Sequence, residues 1–160
     1  MQADFPVLLD ACVLANFGVC DLVLRLAEPP RLYLPRWSEA ILDEVWRTQT
    51  EKLNWPVELA DSWRQEISRH FPESAISGYE ALISAMTNDS KDRHVLAAAV
   101  KGGVSLIVTF NLRHFAPAAL TPLKIEALHP QDYLLTLYSM NAPVVVAKLA
   151  RIASENSIEI

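Results

Sequence analysis

Two short apolar segments constrain the fold of this chain more than any other feature. Residues 5–9 (FPVLL) and 104–108 (VSLIV) are almost entirely apolar, which is typical of strands buried in the middle of a parallel sheet. Amphipathic helical patterns separate the two segments, and turn signals lie between those patterns. We therefore predict one α/β domain over residues 1–160, built on a central, mostly parallel sheet.

The same alternation predicts the remaining elements. Strands are expected at residues 31–34 and 124–128, and helices at residues 11–17, 20–28, 38–49, 56–70, 91–101, from 130 onwards and 143–156. We expect the first two helices to break near Gly18, and Ser38 to cap the third. Residues 73–90 mix polar and apolar side chains without a period, so they receive no assignment.

Composition limits the function classes. Hydrophobic residues make up 51% of the chain, enough for a real core, and the formal net charge of −5 argues against a polybasic nucleic-acid arm. The acidity is concentrated in residues 1–80, which hold 7 basic and 13 acidic side chains, against 7 and 6 in residues 81–160. Any RNA binding is therefore expected to depend on a local basic rim.

The N-terminal residues, the lengths of the apolar runs and the two cysteines predict a cytoplasmic protein. Asp4 stands where a secretory signal would carry positive charge, and no apolar run approaches the 18 or so residues that a membrane span needs. Cys12 and Cys20 match no zinc, redox or disulfide spacing. We expect both thiols to be reduced, with Cys12 in the core.

Polar residues at the predicted ends of strands are the candidates for chemistry. Asp10 and Asn111 follow the two buried strands, Asp92 opens a helix, and Glu44 could reach the same sheet edge. Such oxygen donors, without obvious cationic partners, favour Mg²⁺ or Mn²⁺ over zinc. Each acid also has a purely structural interpretation, since Asp10 and Asp92 suit helix N-termini and Glu44 suits a solvated helix face.

Several common motifs are missing. The sequence contains no GxxxxGK[ST], GxGxxG or GxSxG, and its four histidines lack metal-ligand spacing. A phosphatase of the haloacid-dehalogenase type needs a second aspartate two residues after Asp10, where this chain has Cys12. A phosphatase-like hydrolase on a similar sheet therefore remains a weaker alternative.

Four segments in order resemble the PIN-domain family, and within it the VapC-like ribonuclease toxins of bacterial toxin–antitoxin pairs. They are VLLDACVL (7–14), SEAILDEV (38–45), DSKDRHVLAAA (89–99) and IVTFNL (107–112). The resemblance implies a three-layer α/β/α domain, with its core at about residues 5–133 and a helical extension at about 143–157. It also implies a metal-dependent endoribonuclease with an acidic Mg²⁺ or Mn²⁺ site.

Asp10, Glu44 and Asp92 match the family's first three acids by position. The resemblance implies that they are catalytic residues and metal ligands. Asn111 falls where many members have a fourth acid; an amide oxygen can ligate but brings no charge, so a second metal would be held more weakly. Asp43 is the alternative to Glu44. Asp89 and Thr109 are candidate supporting residues.

The resemblance also implies partners. These are an RNA substrate, a cognate antitoxin protein and a second copy of the chain in a homodimer. Candidate RNA contacts flank the site, at Lys91, Arg93, Arg113 and His114. The four tryptophans, Trp37, Trp46, Trp55 and Trp63, could stack on bases, although core packing is the favoured interpretation. The asparagine at 111 motivates a second hypothesis, an RNA-binding or regulatory domain that has lost catalysis.

Overall fold

The structure is a computed structural model that describes residues 4–156. The strands are β1 (Pro6–Leu9), β2 (Leu34–Ser38), β3 (Ala75–Ile76), β4 (Leu106–Val108) and β5 (Glu126–Leu128). The α-helices are α1 (Ala11–Leu14), α2 (Phe17–Arg25), α3 (Glu39–Arg47), α4 (Val57–His70), α5 (Arg93–Lys101), α6 (Pro117–Leu120), α7 (Pro130–Met140) and α8 (Ala142–Glu155). The end of the predicted extension, at 157, lies outside the described residues, as do residues 1–3.

The five strands form one sheet with the order β3-β2-β1-β4-β5, and every pairing is parallel. Helices flank this sheet, so the predicted α/β class is confirmed. The two apolar segments occupy its centre, where the side chains of Leu8, Leu9, Ile107 and Val108 are fully buried. Since β1 and β4 are neighbours, the residues that follow them meet at the middle of the sheet's carboxyl edge.

The second strand was placed too early by the sequence pattern. It was predicted at residues 31–34 with Pro35 as its terminator, whereas β2 runs from Leu34 to Ser38 and contains the proline. The backbone N–H of Trp37 donates to the carbonyl of Ser74, towards β3. Successive N–H groups of a strand point to alternate sides, so the backbone nitrogen of Pro35 also faces β3. Pairing with β3 begins only at Trp37, so the missing N–H of the proline costs no sheet hydrogen bond.

The break between the first two helices is also misplaced in the prediction. It falls between Leu14 and Phe17, and Gly18 lies inside α2. The cause is Asn16, whose side chain accepts a hydrogen bond from the N–H of Val19 and thereby caps α2. Ser38 behaves as predicted and accepts from the N–H of Ile41 at 3.2 Å.

The segment without an assignment, residues 73–90, contains β3 and two 3-10 turns that start at Glu80 and Ser90. The second of these turns leads directly into α5. It is this turn, and not the helix that was predicted from Lys91, that carries Asp92.

The C-terminal helix α8 packs on its own domain through contacts with α2 and α7. The side-chain amine of Lys148 donates to the backbone carbonyls of Arg25 and Glu28, just where α2 ends, and the guanidinium of Arg25 pairs with Glu155 at 2.6 Å. Val145 is the buried anchor of α8. Across residues 4–156, every helix is too short or too polar to cross a membrane.

Candidate metal centre at the carboxyl edge of the sheet

Asp10 and Thr109 meet where β1 and β4 end side by side. The Thr109 hydroxyl donates to Oδ2 of Asp10 at 2.8 Å, and Oδ1 of Asp10 accepts the backbone N–H of Ala11 at 2.8 Å. Thr109 is fully buried and Asp10 is 2% exposed. Asp10 therefore does cap the short helix α1, as its structural interpretation supposed, but it also joins a polar cluster.

Two other carboxylates act on Asp10. Its pKa is raised above the ordinary aspartate value, first by burial and then by the negative charges of Asp92 and Glu44, against the lowering effect of the Thr109 hydrogen bond. Asp10 directly follows β1, Glu44 lies on α3, and Asp92 lies on the turn before α5. The fold therefore brings together acids that are far apart in the sequence.

Tertiary contacts distinguish Glu44 from Asp43. Oε1 of Glu44 lies 2.6 Å from Nε2 of His94, next to the cluster. Asp43 instead pairs with Arg64 of α4, at 2.7 Å and in an exposed position. Of the two neighbouring acids, Glu44 is thus the one that faces the other carboxylates.

Asp92 does not cap the helix that follows it. Its side chain makes no cap hydrogen bond, and its Oδ2 lies 2.6 Å from Nδ1 of His114. The carboxylate is largely buried, at 7% residue exposure. The N–H of Asp89 donates to the carbonyl of His114, so the loop before α5 and the loop after β4 are tied together beside this contact.

The sequence showed no obvious cationic partners for the acids and no metal-ligand spacing among the histidines, yet two histidines lie against two of the acids. One ligand atom each from Glu44, Asp92 and His94 fall within 4.8 Å of one another. Burial lowers the pKa of His94, but the hydrogen bond to Glu44 and the charges of Glu44, Asp92 and Asp10 outweigh it and raise that pKa. His94 was not a predicted site residue, because no local spacing links it to Glu44.

This set of donors fits a hard divalent cation. Carboxylate oxygens are the ligands that Mg²⁺ and Mn²⁺ prefer. The pKa of Asp10 is raised first by burial and further by the charges of Asp92 and Glu44, and a cation would relieve that repulsion. The residues that could hold such an ion are Asp10, Glu44 and Asp92.

The remaining candidates lie around this cluster with different exposures. Asn111 is exposed, and its backbone N–H donates to the Thr109 hydroxyl. Asp89 is exposed and accepts the N–H of Lys91, so it caps the turn that carries Asp92. The guanidinium of Arg93 donates to the Asn88 carbonyl. Lys91 and Arg113 are exposed.

The sequence suggested that Cys12 lies inside the core, but its side chain is only partly buried and packs at the rim of the core. Its Sγ is 3.5 Å from the Thr109 hydroxyl and 3.7 Å from Oδ2 of Asp10. Burial and the charge of Asp10 raise the pKa of this thiol to about 11. The thiol therefore stays protonated near neutral pH and can donate towards Asp10.

A cavity of about 420 Å³ lies elsewhere, on the side of α2 and α4. Its walls include Gln49, Trp55 and Trp63. None of the three clustered acids lines it. The polar cluster at the sheet edge is thus separate from this cavity.

Thr109 offers a direct test of how Asp10 is held. Replacing it by valine keeps the shape but removes the hydroxyl that donates to Asp10 and accepts from Asn111. We expect a loss of about 1–3 kcal/mol in the free energy of unfolding, because a buried carboxylate loses its donor. Urea denaturation of the metal-free protein measures this. Thr109→Ser keeps the hydroxyl and should retain most of the stability, and equal losses in the two variants would contradict the argument.

A comparison with known proteins agrees in part with the resemblance seen in the sequence. No family model matches the chain, and no solved structure matches it significantly. A curated protein of Mycobacterium tuberculosis (strain ATCC 25618 / H37Rv), named "Putative ribonuclease VapC50", is 60% identical to it over 58 residues. The match covers 36% of this chain and 34% of that protein. Over this segment, the similarity to a VapC-like protein is confirmed.

Proposed function

We propose that this chain is a metal-dependent endoribonuclease, the toxin of a toxin–antitoxin pair that acts on RNA in the cytoplasm. The observation that carries the proposal is that Glu44 and Asp92 place ligand atoms within 4.8 Å of each other, and that the charges of both act on the buried carboxyl of Asp10. The name of the similar M. tuberculosis protein, a ribonuclease, supports the same activity. The proposed partners are an antitoxin protein and a second copy of the chain.

In this proposal, the residues of the chain divide the work. Asp10, Glu44 and Asp92 hold Mg²⁺ or Mn²⁺, and Thr109 keeps Asp10 oriented towards them. A bound divalent cation supplies Lewis-acid stabilisation of charge on the scissile phosphate and activates the attacking water. The exposed side chains of Lys91 and Arg113 attract the phosphates of the RNA, and the Asn111 amide contacts them at the strand end.

Two adjacent acids provide a matched test. We expect Glu44→Gln to lower kcat/KM for a fluorescent single-stranded RNA by about 100-fold, because it removes a charge from the cluster. Asp43→Asn should stay near the wild-type value, because Asp43 makes only an exposed pair with Arg64. The assay is run in EDTA, Mg²⁺ and Mn²⁺.

Three outcomes separate the hypotheses. Cleavage that needs the metal and is lost only with Glu44→Gln supports the proposal. If cleavage were lost only with Asp43→Asn, the site would have been assigned to the wrong acid. RNA binding without cleavage in either metal would instead favour the RNA-binding domain that the exposed Asn111 motivates.

A further inference from the structure

Two of the three acids each give one oxygen to an imidazole. Oε1 of Glu44 contacts Nε2 of His94, and Oδ2 of Asp92 contacts Nδ1 of His114, both at 2.6 Å. Asp10, the third acid, gives one oxygen to the Thr109 hydroxyl. Each carboxylate of the cluster therefore has its own side-chain donor, although these donors come from different loops and helices.

The hydrogen of each imidazole can be assigned from its surroundings. A nitrogen 2.6 Å from a carboxylate oxygen must carry the hydrogen, since two lone pairs would repel each other. For His94 the other nitrogen, Nδ1, is buried and has no hydrogen-bond partner within residues 4–156. If His94 ligated a metal through Nε2, its remaining hydrogen would lie on Nδ1, which has no acceptor within residues 4–156. Ligating histidines normally have such an acceptor.

The second oxygens of Glu44 and Asp92 are in a different situation. Within the described residues, no hydrogen bond is made to Oε2 of Glu44 or to Oδ1 of Asp92. The side chain of Glu44 is long and has several rotatable bonds, so its oxygens would point in many directions without a fixed contact. The contact with His94 removes that freedom, as the contact with His114 does for Asp92.

We propose that His94 and His114 are positioning residues that each hold one carboxylate oxygen, so that the other oxygen of Glu44 and of Asp92 faces the divalent cation. Neither imidazole ligates the ion, which is bound by oxygen alone. This inference rests on the proposed metal-dependent function. It assigns a role to two side chains that the metal chemistry itself does not require.

The test uses Mn²⁺ binding, measured by titration calorimetry. His94→Leu and His114→Leu are each expected to weaken Mn²⁺ affinity by about 10- to 100-fold, the usual effect of losing a contact that orients a ligand. Rescue depends on which nitrogen is mimicked. Glutamine places its amide nitrogen near Nε2 and asparagine near Nδ1, so His94→Gln and His114→Asn should recover most of the affinity.

The exchanged pair gives the matched control. His94→Asn and His114→Gln place the amide at the wrong distance and should bind as weakly as the leucine variants. His70→Gln, on the exposed end of α4, should bind Mn²⁺ like the wild type. Far-ultraviolet circular dichroism and thermal melting confirm that each variant is folded before its affinity is compared.

Electron paramagnetic resonance of bound Mn²⁺ tests the oxygen-only shell. We expect no coupling to a directly bound nitrogen in the wild type. A nitrogen coupling that disappears in His94→Gln would make His94 a ligand and overturn the proposal. Equal Mn²⁺ affinity in all variants would overturn it too, while leaving the metal-dependent activity intact. A wild-type protein that binds no Mn²⁺ would overturn both, and that result is visible without any variant.

Discussion

Replacing Asp10 by asparagine is expected to remove RNA cleavage while raising the stability of the metal-free protein. Asp10 is 2% exposed and sits among two further acids. The amide keeps the size of the side chain but loses the charge that attracts the cation. We expect kcat/KM to fall by roughly three orders of magnitude, an effect of the size seen when a group that stabilises transition-state charge is removed.

The stability gain follows from the direction of the pKa shift. Because the pKa of Asp10 is raised in the folded protein, the unfolded chain releases this proton at a lower pH than the folded protein does. The wild type therefore loses stability as the pH rises above the ordinary aspartate value of 3.8, and the loss is complete above the folded-state pKa. The amide of the Asp10→Asn variant does not titrate, so the advantage of this variant should be present at neutral pH and shrink as the pH falls towards 3.8.

Metal binding should reverse that order. Mn²⁺ at a hundredfold excess over its Kd stabilises a protein by about 2.7 kcal/mol, and the wild type should gain more from it than Asp10→Asn. Thermal melts in EDTA and in Mn²⁺, combined with the cleavage assay, measure all three effects. An Asp10→Asn variant that is less stable than the wild type in EDTA, or that still cleaves RNA, would contradict the role given to Asp10.

The central strands could be predicted because their sequences allow only one environment. Segments 5–9 and 104–108 are apolar on both faces, and a buried position in a parallel sheet satisfies that pattern. The acids that follow such strands then meet at the carboxyl edge. The second strand was predicted wrongly because Pro35 resembles a residue that ends a strand. The structure shows why the proline is tolerated, since β2 pairs with β3 only from Trp37 onwards.

The partners of the acids could not be predicted in the same way. His94 lies 50 residues from Glu44, and His114 lies 22 residues from Asp92, so no local period connects either pair. The direction that Asp43 and Glu44 face was also hard to predict, because adjacent helix residues differ only in that direction. In the structure Asp43 pairs with Arg64 of α4, on the exposed side. Long-range packing thus completes a site whose acids the sequence already suggests.

The tryptophans divide into one core residue, Trp37, and three half-buried ones, of which Trp63 packs against the core. Trp37 of β2 is 1% exposed and meets the ring of Phe71 edge to face, with centroids 5.8 Å apart. It is therefore a core residue, and not a platform for RNA bases. Trp46 is half-buried, and its indole N–H donates to the exposed carboxylate of Asp61.

Trp37→Ala is expected to lower the free energy of unfolding by about 3–5 kcal/mol, since it leaves a large cavity beside the sheet. That loss is a substantial part of the roughly 5–15 kcal/mol that a domain of this kind has. Trp46→Ala should cost much less, and Trp37→Phe should keep both fold and RNA cleavage. Urea denaturation followed by circular dichroism measures the stabilities. If a Trp37→Phe variant stayed folded but no longer bound RNA, packing alone could not explain the loss of binding. That result would contradict the assignment of Trp37 to the core and indicate that its ring stacks on bases.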